Sequence, residues 1–330
     1  MNSREKLIRI RGELIDLICQ FFNSRGFLRV ETPSIYLSEE SNPHIKSIKV
    51  GLEFNGKRID ATLITSPEIF MKRLLADGFG NIYQMCRFYR NDEYGNLHSP
   101  EFLGLEFYEL NKNYYQTMDT TEELIKFLIR EKSLRVFNRY GKEIDFTKPF
   151  ARISVMELLK EYGVYLNSLE DIEELKSELK DRINITDSDS YDDIFFKFFL
   201  TYIEPELGKV EPIFLFDYPP SMSSMAKISE KGGIRVAERY ELYFNQVEIC
   251  NGFSELNDAD EQAERLIKDL NLKGAKNNYD RVFIEALKRL PQCSGNAIGI
   301  DRLIMVLLNL KSIKDIILFP LDEEIELYKK

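Results

Sequence analysis

Apolar residues at Leu7, Ile10, Leu14, Leu17, Ile18 and Phe21 recur in steps of three and four, which puts them on one face and predicts an amphipathic opening helix ending near Arg25-Gly26. The run 27–33 reads as a short strand closing on Pro33, a residue that cannot donate to a ladder, so it is expected at a sheet edge or an interface with a partner subunit. Ser66-Pro67-Glu68 ahead of Ile69-Phe-Met-Lys-Arg-Leu-Leu75 is a helix start, with Pro in the first turn. Two extended runs, 82–90 and 101–110, joined by the polar stretch 91–100, predict a long-looped hairpin. Residues 155–210 are helical and acidic, with cap-like starts at 168–171 and 190–193, and read as an insertion rather than an independent domain. Strand patterns resume at Ile213 and Arg235, and a glycine-rich turn feeds an apolar helix over 299–310. No repeat, low-complexity tract or linker divides the chain, so its 330 residues fit one domain built round a large sheet.

Composition narrows the classes. With 44% hydrophobic and 30% charged residues, the chain is no disordered, collagenous or fibrous protein. Its 45 basic against 55 acidic residues, a formal −10, oppose a broad nucleic-acid surface, where each phosphate contact needs a cation. Cys19, Cys86, Cys250 and Cys293 lack C-x-x-C spacing, and His44 and His98 have no neighbours that complete a zinc site, so reduced thiols and a cytoplasmic location are expected. Arg9, Arg11, Glu13 and Asp16 interrupt the N-terminal region, which therefore implies neither export nor a membrane anchor.

Four constellations carry candidate chemistry. In the run 101–110 one parity gives Leu103, Leu105 and Phe107, a core face, and the other gives Phe102, Gly104, Glu106 and Tyr108. A planar ligand stacked on Phe102 above Gly104 accounts for the second set; an irregular edge strand accounts for it equally well. A tight hairpin whose paired residue numbers sum to 489 sets Glu241 opposite Glu248. Facing like charges are destabilising unless a cation lies between them, and hard oxygen ligands suit magnesium; a register shifted by one leaves two solvated glutamates. Asn251, Phe253 and Glu255 have the parity opposite to Glu248 and share a pocket with it only through an extra residue, for which Gly252 is the natural place. A carboxylate, an amide and an aromatic ring together suit an aliphatic ammonium; a polar strand end is the plainer alternative. Arg302, in the first turn of an apolar helix, opposes the helix dipole unless it reaches an anion or ring. There is no Walker or Rossmann motif.

Over nearly its whole length the sequence resembles a class II aminoacyl-tRNA synthetase catalytic domain. Motif 1 is similar to Gly26-Phe-Leu-Arg-Val-Glu-Thr-Pro33, motif 2 to Phe88-Tyr-Arg-Asn-Asp92 through His98-Ser-Pro-Glu-Phe102, and motif 3 to Gly295-Asn-Ala-Ile-Gly-Ile-Asp-Arg302. Asn251-Gly-Phe-Ser-Glu-Leu-Asn-Asp258 resembles the wording of lysyl-tRNA synthetases. Because the first catalytic helix starts at the first residues, with no anticodon-binding OB-fold ahead of it, and because Ala297 stands where those synthetases have Gly, the chain is identified as a member of the elongation factor P lysine ligase family. The resemblance implies an α+β fold, an antiparallel sheet flanked by helices, in a single catalytic domain over 1–330 with a helical insertion at about 155–210. It implies activation of lysine or (R)-β-lysine by ATP as the adenylate and transfer to the ε-amine of a lysine on elongation factor P.

The same resemblance assigns roles. Phe102 is expected to stack on adenine, Arg302 to cover its other face or reach the γ-phosphate, and Arg90 to hold the α-phosphate and the substrate carboxylate. Asn91, Asp92, Ser99, Glu248, Ile249 and Gly299 complete the expected ATP site, and Glu241 with Glu248 would hold Mg2+. Ser66, Pro67, Glu68, Glu106, Tyr108, Asn251, Phe253, Glu255 and Ala297 form the expected amino-acid pocket, Glu255 being the first partner of the ε-ammonium and Glu106 the second. Ser99 stands where Asn is usual, and Asp92 stands where Glu is usual, one methylene short, so a looser or water-bridged adenine contact is expected of Asp92. A homodimer is expected from motif 1, with no stable tRNA binding and no membrane. The competing readings are a compact lysyl-tRNA synthetase, which predicts salt-sensitive RNA binding, an amide-forming relative of asparagine synthetases, whose acidic substrate Glu255 opposes, and a non-catalytic regulatory paralogue.

Overall fold

A computed structural model describes residues 3–274 and 279–329. Helix α1 (Ser3–Ser24) buries Leu14, Ile18, Phe21 and Phe22 on its inward stripe and ends at Gly26, whose φ of +76° lets the chain reverse. The short strands β1 (Leu28–Arg29) and β2 (Ile35–Tyr36) follow, then the hairpin β3 (Lys49–Phe54) and β4 (Lys57–Leu63). Helix α2 (Glu68–Ala76) starts one residue later than its proline suggested: Pro67 is the N-cap, outside the first turn. Strands β5 (Ile82–Tyr89) and β6 (Glu101–Leu110) form the expected hairpin, and α3 (Tyr114–Glu131) opens with a capping box between Asn113 and Gln116.

Strand β7 (Ala151–Ser154) leads into the acidic segment, which folds as α4 (Val155–Glu161), α5 (Ile172–Leu179) and α6 (Tyr191–Phe198). Asp171 caps α5, and Ser190 with Asp193 forms a capping box on α6. Next come β8 (Ile213–Tyr218), β9 (Ile228–Lys231), β10 (Ile234–Phe244) and β11 (Val247–Ser254). Helices α7 (Ala259–Leu272) and α8 (Arg281–Leu287), strand β12 (Cys293–Gly299), and helices α9 (Ile300–Leu307) and α10 (Leu321–Tyr328) complete the chain.

The main sheet runs β1-β5-β6-β12-β11-β10-β8-β7, with β9 added on β10. Its six inner strands are antiparallel, and the outer β1 and β7 pair in parallel with β5 and β8. The expected antiparallel sheet is thus its centre, and the 27–33 run does lie at an edge. One face packs Leu105, Phe107, Tyr240, Leu242, Cys250 and Ile298 against α1, α3 and α9. At one end of the other face, α4 to α6 pack on Leu215, Tyr218 and Tyr243; at the opposite end α2, α7 and α8 close over Tyr108. The strip between these two covers is the candidate site.

Two register details decide what faces that strip. The β10/β11 hairpin turns on Asn245 and Gln246, with φ of 52° and 68°, the left-handed pair of a two-residue loop whose twist matches the strands. This pairs Phe244 with Val247 and Tyr243 with Glu248, so Glu241 faces Asn251 rather than Glu248. The register then shifts between Leu242 and Tyr243, because Ile249 is an extra residue. Ile249 and Cys250 consequently both enter the core, and Glu248, Asn251 and Phe253 come to one face. The bulge does what the parity required but lies at Ile249, whereas Gly252 sits in regular pairing with Tyr240. A Cβ on Gly252 would stand 2.6 Å from the Tyr240 ring, so core packing accounts for that glycine.

Candidate active site

The site is a lattice of side chains set by strand pairing. One row across β5, β6, β12, β11 and β10 holds Gln84, Glu106, Ala297, Asn251 and Glu241; the neighbouring row holds Ile82, Tyr108, Gly295, Phe253 and Arg239.

At the α2 end, Glu106 is buried and accepts hydrogen bonds from Ser66 Oγ (2.6 Å) and the Tyr108 hydroxyl (2.5 Å). Burial, reinforced by the Glu68 charge, pushes its carboxyl up to about 7. Ser66 Oγ also accepts from the Glu68 amide at 3.1 Å, joining the first turn of α2 to β6. Lys72, one turn on, is 1% exposed and lies 2.6 Å from Glu68 and 2.5 Å from Glu255 Oε2. Burial opposes its charge, but Glu255 and Glu68 outweigh that cost and hold the ammonium above its ordinary range. The Phe253 ring centroid is 5.2 Å from Lys72 Nζ, so the cation already sits in the environment read from sequence as an ammonium site. Glu255 Oε1 is buried without a hydrogen-bond partner among the described residues. Gly295 is obligatory here: a Cβ would fall 2.4 Å from the Tyr108 ring and 2.6 Å from Glu255 Oε1.

In mid-strip, Ala297 separates Glu106 from Asn251. Asn251 Oδ1 accepts from Arg239 Nε at 3.1 Å, and Arg239 also donates to Glu241 (2.5 Å) and to the Met222 carbonyl (2.9 Å). Glu241 Oε2 accepts from the Tyr218 and Tyr243 hydroxyls at 2.6 and 2.7 Å. Those rings are packed by α4 to α6, so the 155–210 segment fixes this carboxylate. Glu248, on the same face and half-buried, meets Arg302 only at 3.8 Å, and burial with the Glu241 charge pushes it up to about 7. Hard carboxylate oxygens of this kind fit a magnesium ion that draws its other ligands from phosphates, with Glu248 the open donor and Glu241 already engaged by three others.

At the opposite end, Phe102 lies beside Phe88, and the Arg90 guanidinium is 5.3 Å from its centroid. Arg90 Nε is buried without a partner among the described residues. Arg302 donates to the carbonyls of Leu97 and Glu248, both at 3.0 Å, and its Nη2 lies 2.6 Å from His98 Nε2. Burial and the nearby Arg302 and Arg90 charges lower His98, keeping it neutral. Asp301 anchors the start of α9 by accepting from Leu103 N–H (2.8 Å) and Arg11 (2.9 Å).

Several sequence assignments change. The close approach at Gly104 comes from the protein itself, since a Cβ there would meet the Phe88 ring at 2.5 Å. Gly299 has nothing nearer than 3.7 Å, so no internal atom demands a glycine at that position. Ile249 turns its side chain into the core, leaving only its main chain towards the strip. Asn91 and Asp92 are exposed; Asp92 pairs with Lys46 at 2.5 Å rather than joining the Phe102 group, and Ser99 is partly buried in the 91–100 loop. Pro67 contributes its carbonyl to α2, accepting from Met71 N–H at 3.0 Å. Lys72 and Arg239 were not singled out from sequence. A lysine between Met71 and Leu75 in a buried stripe, and an arginine two residues before Glu241, were the available signals.

The profile described as tRNA synthetases class II (D, K and N) matches residues 1–323, and the chain belongs to that family. Within it, the chain is 36% identical over 97% of its length to a lysine–tRNA ligase of Campylobacter jejuni, of which it spans 64%. It is 35% identical to an elongation factor P–(R)-β-lysine ligase of Hamiltonella defensa and 36% identical to one of Yersinia pestis, in each case over 94% of both chains. Among the described residues no helix is long and apolar enough to cross a membrane.

Proposed function

We propose that this protein activates lysine or (R)-β-lysine with ATP and transfers the aminoacyl group to the ε-amine of a lysine on elongation factor P. The observation that carries the reading is the convergence of Glu68, Glu106 and Glu255 round the Tyr108 hydroxyl, next to a strip bearing Arg90, Phe102 and Arg302. An acidic pocket suits a substrate with ammonium groups, and the free Arg90 Nε suits its carboxylate or the α-phosphate.

In the first step the substrate carboxylate attacks the α-phosphorus in line, a P–O bond forms, and the bond to pyrophosphate breaks. Arg90 stabilises the charge on the phosphate oxygens, Phe102 and Arg302 clasp the base, and Asn251, held by Arg239, orients the amino acid. Magnesium held on Glu248 beside Glu241 would neutralise phosphate charge. In the second step a neutral amine attacks the acyl carbon, the C–N bond forms as the acyl C–O bond to AMP breaks, and the nitrogen gives up one proton to solvent. Similarity along 94% of both chains to the (R)-β-lysine ligases, together with Ala297 between Glu106 and Asn251, favours a protein amine as acceptor. The placement of β1 at the sheet edge suits a two-fold dimer, and the site's chemistry suits a cytoplasmic enzyme.

The comparable identity to lysine–tRNA ligases supports a second reading, with tRNA as acceptor. ATP–pyrophosphate exchange with α-lysine and (R)-β-lysine, followed by transfer to purified elongation factor P or to tRNA, separates the two. Exchange followed by modification of the factor is expected; tRNA charging without it overturns the first reading.

A further inference from the structure

Three carboxylates line the amino-acid pocket, and the protein supplies one cation to them. We infer that Lys72 is a specificity-determining residue: its buried ammonium cancels one of the three charges and leaves two, the number of ammonium groups that a diamino acid brings. The inference rests on the amino-acid activation proposed above.

The geometry separates Lys72 from a substrate stand-in. Its stem descends from the buried face of α2, and its ammonium bridges Glu68 (2.6 Å) and Glu255 Oε2 (2.5 Å), with Met225 Sδ at 3.5 Å. Glu255 therefore gives one oxygen to Lys72 and keeps Oε1 for a ligand; the absent side chain of Gly295 leaves room for that oxygen beside Tyr108. Glu106 meets only neutral hydroxyls and has no ion pair of its own among the described residues. Glu106 and the free oxygen of Glu255 both flank Tyr108, so they are the acids left for a substrate ammonium while Lys72 keeps Oε2. Without Lys72, three acids would face two ammonium groups, and burial makes an uncompensated charge costly enough for the pocket to take up a proton instead. A buried ammonium on a short helix also holds Glu68 and Glu255 at a fixed separation, so both charge and spacing depend on it.

Lysine-dependent ATP–pyrophosphate exchange tests this with Lys72→Met, Lys72→Arg and Lys72→Ala. Lys72→Met should raise the KM for lysine at least about 30-fold, the lower range for truncating one member of a buried ion pair, while the KM for ATP changes less than about threefold. Lys72→Arg, which keeps the charge, should recover most of that loss. Ethylammonium added to Lys72→Ala should lower the lysine KM several-fold and should not lower that of the unaltered enzyme. A Lys72→Met enzyme with an unchanged lysine KM, or with lysine and ATP KM values raised alike, overturns the inference. Should Lys72→Met not fold, failure of both arginine and ethylammonium to restore lysine binding overturns it too. If the unaltered enzyme supports exchange with no diamino acid, the proposed function fails and this inference falls with it; active unaltered enzyme with indifferent Lys72 variants sinks this inference alone.

Discussion

The two ends of the strip solve opposite problems with charge. At the α2 end Glu106 and Glu255 are buried and Glu68 is partly buried, and apart from Glu255 Oε1 each finds a partner inside the protein, Lys72, Ser66 or Tyr108. At the Phe102 end the cations stand ready with incomplete partners, Arg90 with a vacant Nε and Arg302 resting on two carbonyls and a neutral imidazole. One end is assembled in advance, which favours discrimination; the other waits for an anion, which favours charge stabilisation during reaction. Changes at the first should appear in the amino-acid KM, and changes at the second in kcat or in ATP binding.

The sharpest break of this contrast is Arg90→Ala. It should lower kcat for pyrophosphate exchange about 10² to 10³-fold, the cost of removing one preorganised donor, and raise the lysine KM by far less through the lost carboxylate contact; an equal effect on lysine binding would erase the distinction. Next come two glycines of one strand. Gly295→Ala must displace Tyr108 or Glu255 and should cost about 1–3 kcal/mol of stability by overpacking, with a clear rise in lysine KM. Gly299→Ala has room within the protein and should leave the melting temperature unchanged while raising the ATP KM. Acidity gives a third test. With Glu106 pushed up to about 7 and Glu255 to about 8 by burial, the anions proposed to bind the ammonium form as pH rises, so kcat/KM for lysine should climb at least about tenfold per pH unit below 7 and level off only above 8. Glu106→Gln should flatten that limb. Smallest is Phe102→Ala, expected to raise the ATP KM about fivefold through lost stacking, measured at saturating lysine.

How much of this was legible depends on how local the cause is. The opening helix, the β5/β6 hairpin and the division of β6 into a core face and a Glu106–Tyr108 face follow from periods of 3.6 and two, which neighbouring residues determine. The caps at Asp171 and Ser190 are equally local. The β10/β11 register was not readable, because it depends on Asn245 and Gln246 both adopting left-handed backbone and on Ile249 leaving the ladder. The reason for Gly104 was misplaced because the ring that fills its space, Phe88, comes from the adjoining strand. Lys72 was visible as a charge in an apolar stripe, but its second acid is 183 positions away.

The extra residue at Ile249 acts on β11 much as a frame change acts on a message. Before the bulge Glu248 faces the candidate strip; from Asn251 onward the odd-numbered residues do, and Ile249 and Cys250 are the two positions spent making the change. Substitution can retune either half, but no substitution moves a side chain from one half to the role of the other. Were Ile249 to enter the ladder as a regular residue, Asn251 and Phe253 would turn into the core and Cys250 and Gly252 would come outward, exchanging a candidate ligand-facing surface for a packing surface in a single step, whereas deleting Ile249 would leave those faces as they are.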